Sequence, residues 1–197
     1  MPQGHILFFN PPSTRPLYRG IVCTWVSKAK YLWQPFDFIL LSALAPAGMK
    51  VSYLDSFIHK ARLSDAIKFI EDNAVTHIVM SMSSIEWQGD FDTLIKLRNR
   101  FPELNIAVLG DVFQELFFVQ QVLPLKVVII RHPLDLGISE YFSTGKTGTA
   151  SILCEIDAQA LHLPPVNLKP CLDFPMPRHE VFLSRKHRSP FDKHIKS

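Results

Sequence analysis

The sequence predicts a three-layer α/β domain, a five-stranded parallel sheet covered by helices on both faces. Short apolar runs alternate with amphipathic stretches from His5 to Phe142. Each run is apolar along nearly its whole length, as a parallel strand buried on both faces must be. The stretches between them repeat their apolar residues at helical spacing.

The strands are Ile6 to Asn10, Lys50 to Leu54, His77 to Ser81, Asn105 to Leu109 and Val127 to Arg131. Helices are predicted over Gln34 to Ala47, Leu63 to Asn73, Phe91 to Phe101 and Val112 to Val122. Gly48 stands where a left-handed residue would cap the first helix, Ser64 and Asp90 are the expected caps of the second and third, and Pro102 stops the third. Pro46 has no amide hydrogen, so the last turn of the first helix is expected to fray or kink.

Two stretches break the rhythm. Pro11 to Leu32, with Pro11, Pro12, Pro16 and Gly20, is far longer than the roughly 2 to 6 residues of an ordinary connection in such a sheet, and long loops often carry function. Beyond Ser143, Gly145, Gly148, Pro164, Pro165, Pro170, Pro175 and Pro177 mark an extended arm. The expected division is therefore an α/β domain over 1–142 and an arm over 143–197. With 47% hydrophobic residues, a chain of 197 can bury one good core.

The net charge is +3, and basic residues crowd the end of the chain in Arg185-Lys186-His187-Arg188 and Lys193-His194-Ile195-Lys196. The domain proper is nearly neutral, which gives nucleic-acid binding little electrostatic support; the basic tail reads as a solvated surface. Cys23, Cys154 and Cys171 are odd in number and widely spaced, which indicates neither a disulfide framework nor a metal knuckle and fits a reducing cytosol. No apolar run approaches the roughly 18 to 20 residues that span a bilayer, and the start lacks the layout of a signal peptide, so no membrane partner and a cytoplasmic location are expected.

In an open parallel sheet, ligands bind outside the carboxyl ends of the strands. The residues there are Asn10-Pro11-Pro12-Ser13, Asp55-Ser56, Ser81-Met82-Ser83-Ser84, Gly110-Asp111-Val112-Phe113 and Arg131-His132-Pro133. Gly110 permits close backbone approach, and a helix starting near Val112 would point free amides into the crevice. Ser81, Ser83 and Ser84 can hydrogen-bond a ligand without filling space. Equally, Gly110 can make a plain tight turn and the serines can cap the next element.

Four segments, Ile6 to Ser13 (ILFFNPPS), Leu40 to Asp55 (LLSALAPAGMKVSYLD), Ile78 to Ser84 (IVMSMSS) and Val108 to Asp111 (VLGD), follow one another in an order that resembles the cobalamin-binding domain ahead of the barrel of radical S-adenosylmethionine (radical SAM) proteins. The likeness covers roughly residues 5 to 142, and Leu172-Asp173-Phe174-Pro175-Met176-Pro177-Arg178 is similar to that family's linker into the barrel. It implies a flavodoxin-like (Rossmann-like) fold, with cobalamin over the strand ends and its nucleotide tail in the crevice. Carried over by position, the tail would meet Ser81, Ser83, Ser84 and the backbone from Gly110 through Asp111 and Val112 to Phe113, with Asn10 nearby. Asp111 stands where the family usually has a second glycine, and a carboxylate beside a phosphate-bearing tail is unfavourable unless it points away or accepts from ribose. Trp87 would shield the lower corrin face or simply pack; His132 would touch the ligand or be satisfied by backbone. The Asp-x-His-x-x-Gly signature of an axial histidine is absent, and His59 lies after the wrong strand to replace it.

The resemblance also implies a metal-binding role through the corrinoid, and a larger system doing methyl transfer or another radical transformation. The closely spaced three-cysteine loop that holds the radical SAM iron–sulfur cluster is absent, and the chain stops at Ser197 about where the barrel would begin. The expectation is a truncated module without catalytic apparatus, working with a barrel in trans if at all. The apolar arm residues Leu161, Leu163, Phe174 and Phe182 would then be surface that a barrel covers, leaving the end sticky or mobile. The alternative is a cofactor-free flavodoxin-like scaffold or signalling domain. A response regulator is excluded by Ser81 where the phosphorylated Asp would stand, and a flavin site by the incomplete phosphate loop Asn10-Pro11-Pro12-Ser13-Thr14. No nucleophile elbow, metal triad or Walker loop supports an independent hydrolase or transferase.

Overall fold

The computed structural model describes residues 4–26, 33–145, 152–155, 162–166 and 173–183. Strand β1 (His5–Asn10) is followed by a hairpin of β2 (Leu17–Arg19) and β3 (Thr24–Val26), then α1 (Phe36–Ala43), β4 (Lys50–Asp55), the single turn α2 (Ser56–His59) and α3 (Leu63–Asp72). Next come β5 (His77–Ser81), α4 (Trp87–Arg100), β6 (Asn105–Leu109), α5 (Leu116–Val122), β7 (Val128–Ile130), α6 (Gly137–Thr144) and β8 (Ile152–Leu153).

The main sheet runs β4-β1-β5-β6-β7-β8. Its first five strands are parallel, and β8 adds an antiparallel edge from within the arm. Counting only the parallel strands, the order is 2-1-3-4-5, that of the flavodoxin-like fold. The chain reverses its direction of growth between β1 and β5, so the crevice opens where Asn10 and Ser81 end their strands.

Strand β1 shows why the layers form. Its side chains alternate between faces. Leu7 and Phe9 join Ile70, Leu94, Leu97 and Val119 beneath α3, α4 and α5, whereas Ile6 and Phe8 join Phe38, Leu41, Ile138 and Phe142 beneath α1 and α6. Each such fully buried side chain contributes roughly 1.5 to 3 kcal/mol.

Several element ends differ from expectation. The first helix stops at Ala43, and the chain turns through Pro46 to Gly48 at φ 91°. The second begins after Arg62, whose amide donates to Asp65 Oδ2 (2.7 Å), so Asp65 and not Ser64 caps it. The third begins one turn early at Trp87, which puts Asp90 inside the helix with its carboxylate facing the core. The stretch from Val112 splits into a 3-10 turn (Asp111–Gln114) and α5, because Glu115 is extended.

Some residues of the described arm pack into the core, while others such as Met176 and Leu183 stay exposed. Phe182 is 1% exposed, its ring 5.7 Å from Phe8 and 5.0 Å from Tyr53. Phe174 and Leu163 pack, half-buried, against the two core layers. The Arg178 guanidinium donates to the carbonyls of Ala45 (2.9 Å), Pro46 (3.2 Å) and Met49 (2.9 Å), and its amide donates to Ser42 Oγ (2.9 Å). These carbonyls lie in the turn after α1, so one side chain of the arm satisfies the backbone that Pro46 disrupts. The expectation of apolar surface awaiting a barrel is thus corrected for Phe182, Phe174 and Leu163; Leu161 lies outside the described residues.

Candidate functional site

The long loop after β1 folds back over the strand ends as the β2–β3 hairpin, and its Arg19 enters the crevice. The Arg19 side chain is 1% exposed and its partner Asp90 0%. Nε donates to Asp90 Oδ2 (3.0 Å), one terminal nitrogen to Asp90 Oδ1 (2.8 Å) and the other to Asn10 Oδ1 (2.9 Å). This two-point grip on a carboxylate is the strong form of a charge-assisted pair. Burial pushes Asp90 up to about 6, against the downward pull of Arg19 and of hydrogen bonds from Ser83. Four donors converge on the carboxylate, so it is ionised at neutral pH.

The serines expected to meet a ligand are engaged within the chain. Ser81 Oγ donates to Asn10 Oδ1 (2.9 Å). The Ser83 amide and hydroxyl both donate to Asp90 Oδ2 (2.9 and 3.2 Å), and Ser83 Oγ accepts from the Glu86 amide (3.1 Å). Ser84, at the rim, donates from its amide (3.1 Å) and its hydroxyl (2.7 Å) to the Asp111 carboxylate. On the other side of Asn10, its Nδ2 donates to Asp55 Oδ2 (2.6 Å), which also accepts from the Tyr53 hydroxyl (2.9 Å), while Asp55 Oδ1 caps α2 by accepting from the Ile58 amide (2.8 Å).

Of the residues singled out from sequence, Asn10, Ser81, Ser83, Ser84, Gly110 and Asp111 come together at the strand ends. Val112 and Phe113 follow them but point into the core. Trp87 stands apart in an aromatic stack between α4 and α5, 5.1 Å from Phe91 and 4.6 Å from Phe118. His132 is half-buried with its Nδ1 accepting from the Leu134 amide (3.3 Å); burial lowers its pKa, and Asp135 and Asp37 pull it back up. Asp37 in turn accepts from the Ile21 amide (2.7 Å), which seats Ile21, 2% exposed, in the layer beneath α1 and α6. Sequence reasoning missed Arg19, placed Asp55 at the strand ends without giving it a role, and took Asp90 for a cap. The available signal was an arginine beside a glycine in a loop already too long to be a mere connection.

The fit of a corrinoid tail can be tested on the two turns that would flank it. The serine and glycine turns are neighbours, joined by the Met82 amide donating to the Leu109 carbonyl (2.7 Å) and by the Ser84–Asp111 clasp. A Cβ on Gly110 would lie 1.9 Å from the Met82 carbonyl oxygen, so the backbones are already in contact. Arg19 stands at the centre of the crevice and Ile21 is seated beneath α1, so a tail entering between these turns would have to displace the hairpin. Neither a protein-family model nor a curated protein matches the sequence.

Proposed function

We propose that the chain is a non-catalytic, cofactor-free scaffold domain of flavodoxin-like architecture whose ligand crevice is filled by its own hairpin. The observation that carries this reading is the buried Arg19–Asp90 pair bridged to Asn10 at the point where the sheet order reverses. A bound anionic tail would need the donors of the serine turn, and these are committed to Asn10, Asp90 and Asp111.

A second reading is a corrinoid-binding module of a radical SAM system, working with a barrel in trans. What supports it is the order of the strand-end segments and the adjacency of the serine and glycine turns. It requires the hairpin to lift and Arg19 to leave Asp90. One experiment separates the two. The full chain is incubated with hydroxocobalamin and passed through gel filtration. The scaffold reading expects colourless protein; a stoichiometric corrin absorbance co-eluting with the chain would overturn it in favour of the corrinoid module.

A further inference from the structure

Beneath the hairpin a cavity of about 30 Å³ remains beside the ends of β1 and β4. Its walls include the rings of Tyr18, Trp33, Phe38, Tyr53 and Phe57, and Asp55 contributes to its polar side. Asp55 is 5% exposed. It accepts three hydrogen bonds and, among the described residues, forms no ion pair; the salt bridges there are Arg19–Asp90 and Arg100–Glu71. The buried polar cluster therefore holds one positive charge, Arg19, and two negative ones, Asp90 and Asp55. One negative charge is left over, at the cavity.

We propose that this cavity binds a primary ammonium head group, with Asp55 as its acceptor and the aromatic rings as its wall. Three features select that chemistry. The surplus charge is negative, so the complement is a single positive charge. Aromatic faces attract cations, the more so out of water. Asp55 can only accept hydrogen bonds, which –NH3+ donates and a quaternary ammonium cannot. Asn10, Ser81 and Arg19 contribute little free hydrogen-bonding capacity here, since they already bond one another. The proposal goes beyond the scaffold reading, because it concerns the space the hairpin leaves open and not the crevice it fills.

The test is a titration of the full chain with n-butylammonium chloride at constant ionic strength, followed by tryptophan fluorescence, since Trp33 lines the cavity and Trp25 lies 6.0 Å from it. A saturable change is expected with butylammonium, none with n-butanol, and binding about tenfold weaker or worse with tetramethylammonium. Asp55→Asn keeps a side chain able to cap α2 and removes the charge, and should weaken binding about tenfold or more. Should that variant fail to fold, Trp33→Leu, with an unchanged circular dichroism spectrum, is expected to weaken binding several-fold. The proposal is overturned by an absent saturable response, by equal responses to butanol and butylammonium, or by unaltered affinity in the folded variant. None of these outcomes bears on corrinoid retention, so the two readings fail separately.

Discussion

Replacing Arg19 by Met removes the charge at the centre of the crevice while keeping most of the side-chain volume. Three hydrogen bonds are lost and Asp90, 0% exposed, is left without its cation. Breaking one side of a buried pair costs about 3 to 5 kcal/mol, a large part of the roughly 5 to 15 kcal/mol that holds a domain folded. The loss depends on pH. Asp90 is already raised to about 6 by burial and climbs further without Arg19. A carboxyl raised in the folded state favours folding when protonated, so its contribution is complete below the unfolded value of 3.8 and disappears as pH rises through the folded value. Arg19→Met should therefore be far less harmful at pH 5 than at pH 8. Urea denaturation at the two pH values measures this, and the double variant Arg19→Met/Asp90→Asn should be more stable than the sum of the single losses predicts. A loss below about 1 kcal/mol at pH 8, as for an exposed pair, would refute the reasoning, as would strict additivity.

Gly110→Ala should lose about 3 kcal/mol in urea denaturation, the upper end for overpacking, because the new Cβ meets the Met82 backbone at 1.9 and 2.8 Å. Phe182→Ala should cost about 3 to 5 kcal/mol and lower the thermal midpoint accordingly, whereas a detachable arm would lose almost nothing. His5 donates from Nδ1 to the Asn73 carbonyl, its Nε2 accepts from Ser52, and burial lowers its pKa, so the neutral ring is the native form. Its stability contribution is present above the unfolded value of 6.5 and is lost as pH falls below it; the gap between wild type and His5→Gln in urea should narrow from pH 7.5 to pH 5, and a constant gap would contradict this. Asp111→Gly opens the rim clasp at a cost of about 1 kcal/mol, and the variant should still elute colourless after hydroxocobalamin treatment. Uptake by this variant alone would identify the clasp as the barrier to a corrinoid.

The layered architecture was legible because it rests on local patterns. His77 to Ser81 and Asn105 to Leu109 read as strands to the residue, since a doubly buried strand is an unbroken apolar run. The helix ends were less legible. Asp90 before Phe91 has the form of a cap, and nothing nearby in sequence says that an arginine 71 residues earlier will claim its carboxylate. Likewise Ile152 and Leu153 are too short a run to announce an edge strand; their pairing with Ile130 and Ile129 comes from the sheet.

By itself the sequence determined the parallel sheet, the helices on its two faces and the loops that converge at the strand ends, for backbone periodicity and burial are encoded within a few residues of each other. Only the tertiary structure decided what stands in the crevice. Whether Ser81, Ser83 and Ser84 face a ligand or each other's neighbours depends on where the hairpin delivers Arg19, and whether Phe182 is surface or core depends on where Arg178 anchors the arm. Long-range charge pairing and side-chain packing fix those choices, and both depend on distance in space, which separation along the chain does not reveal.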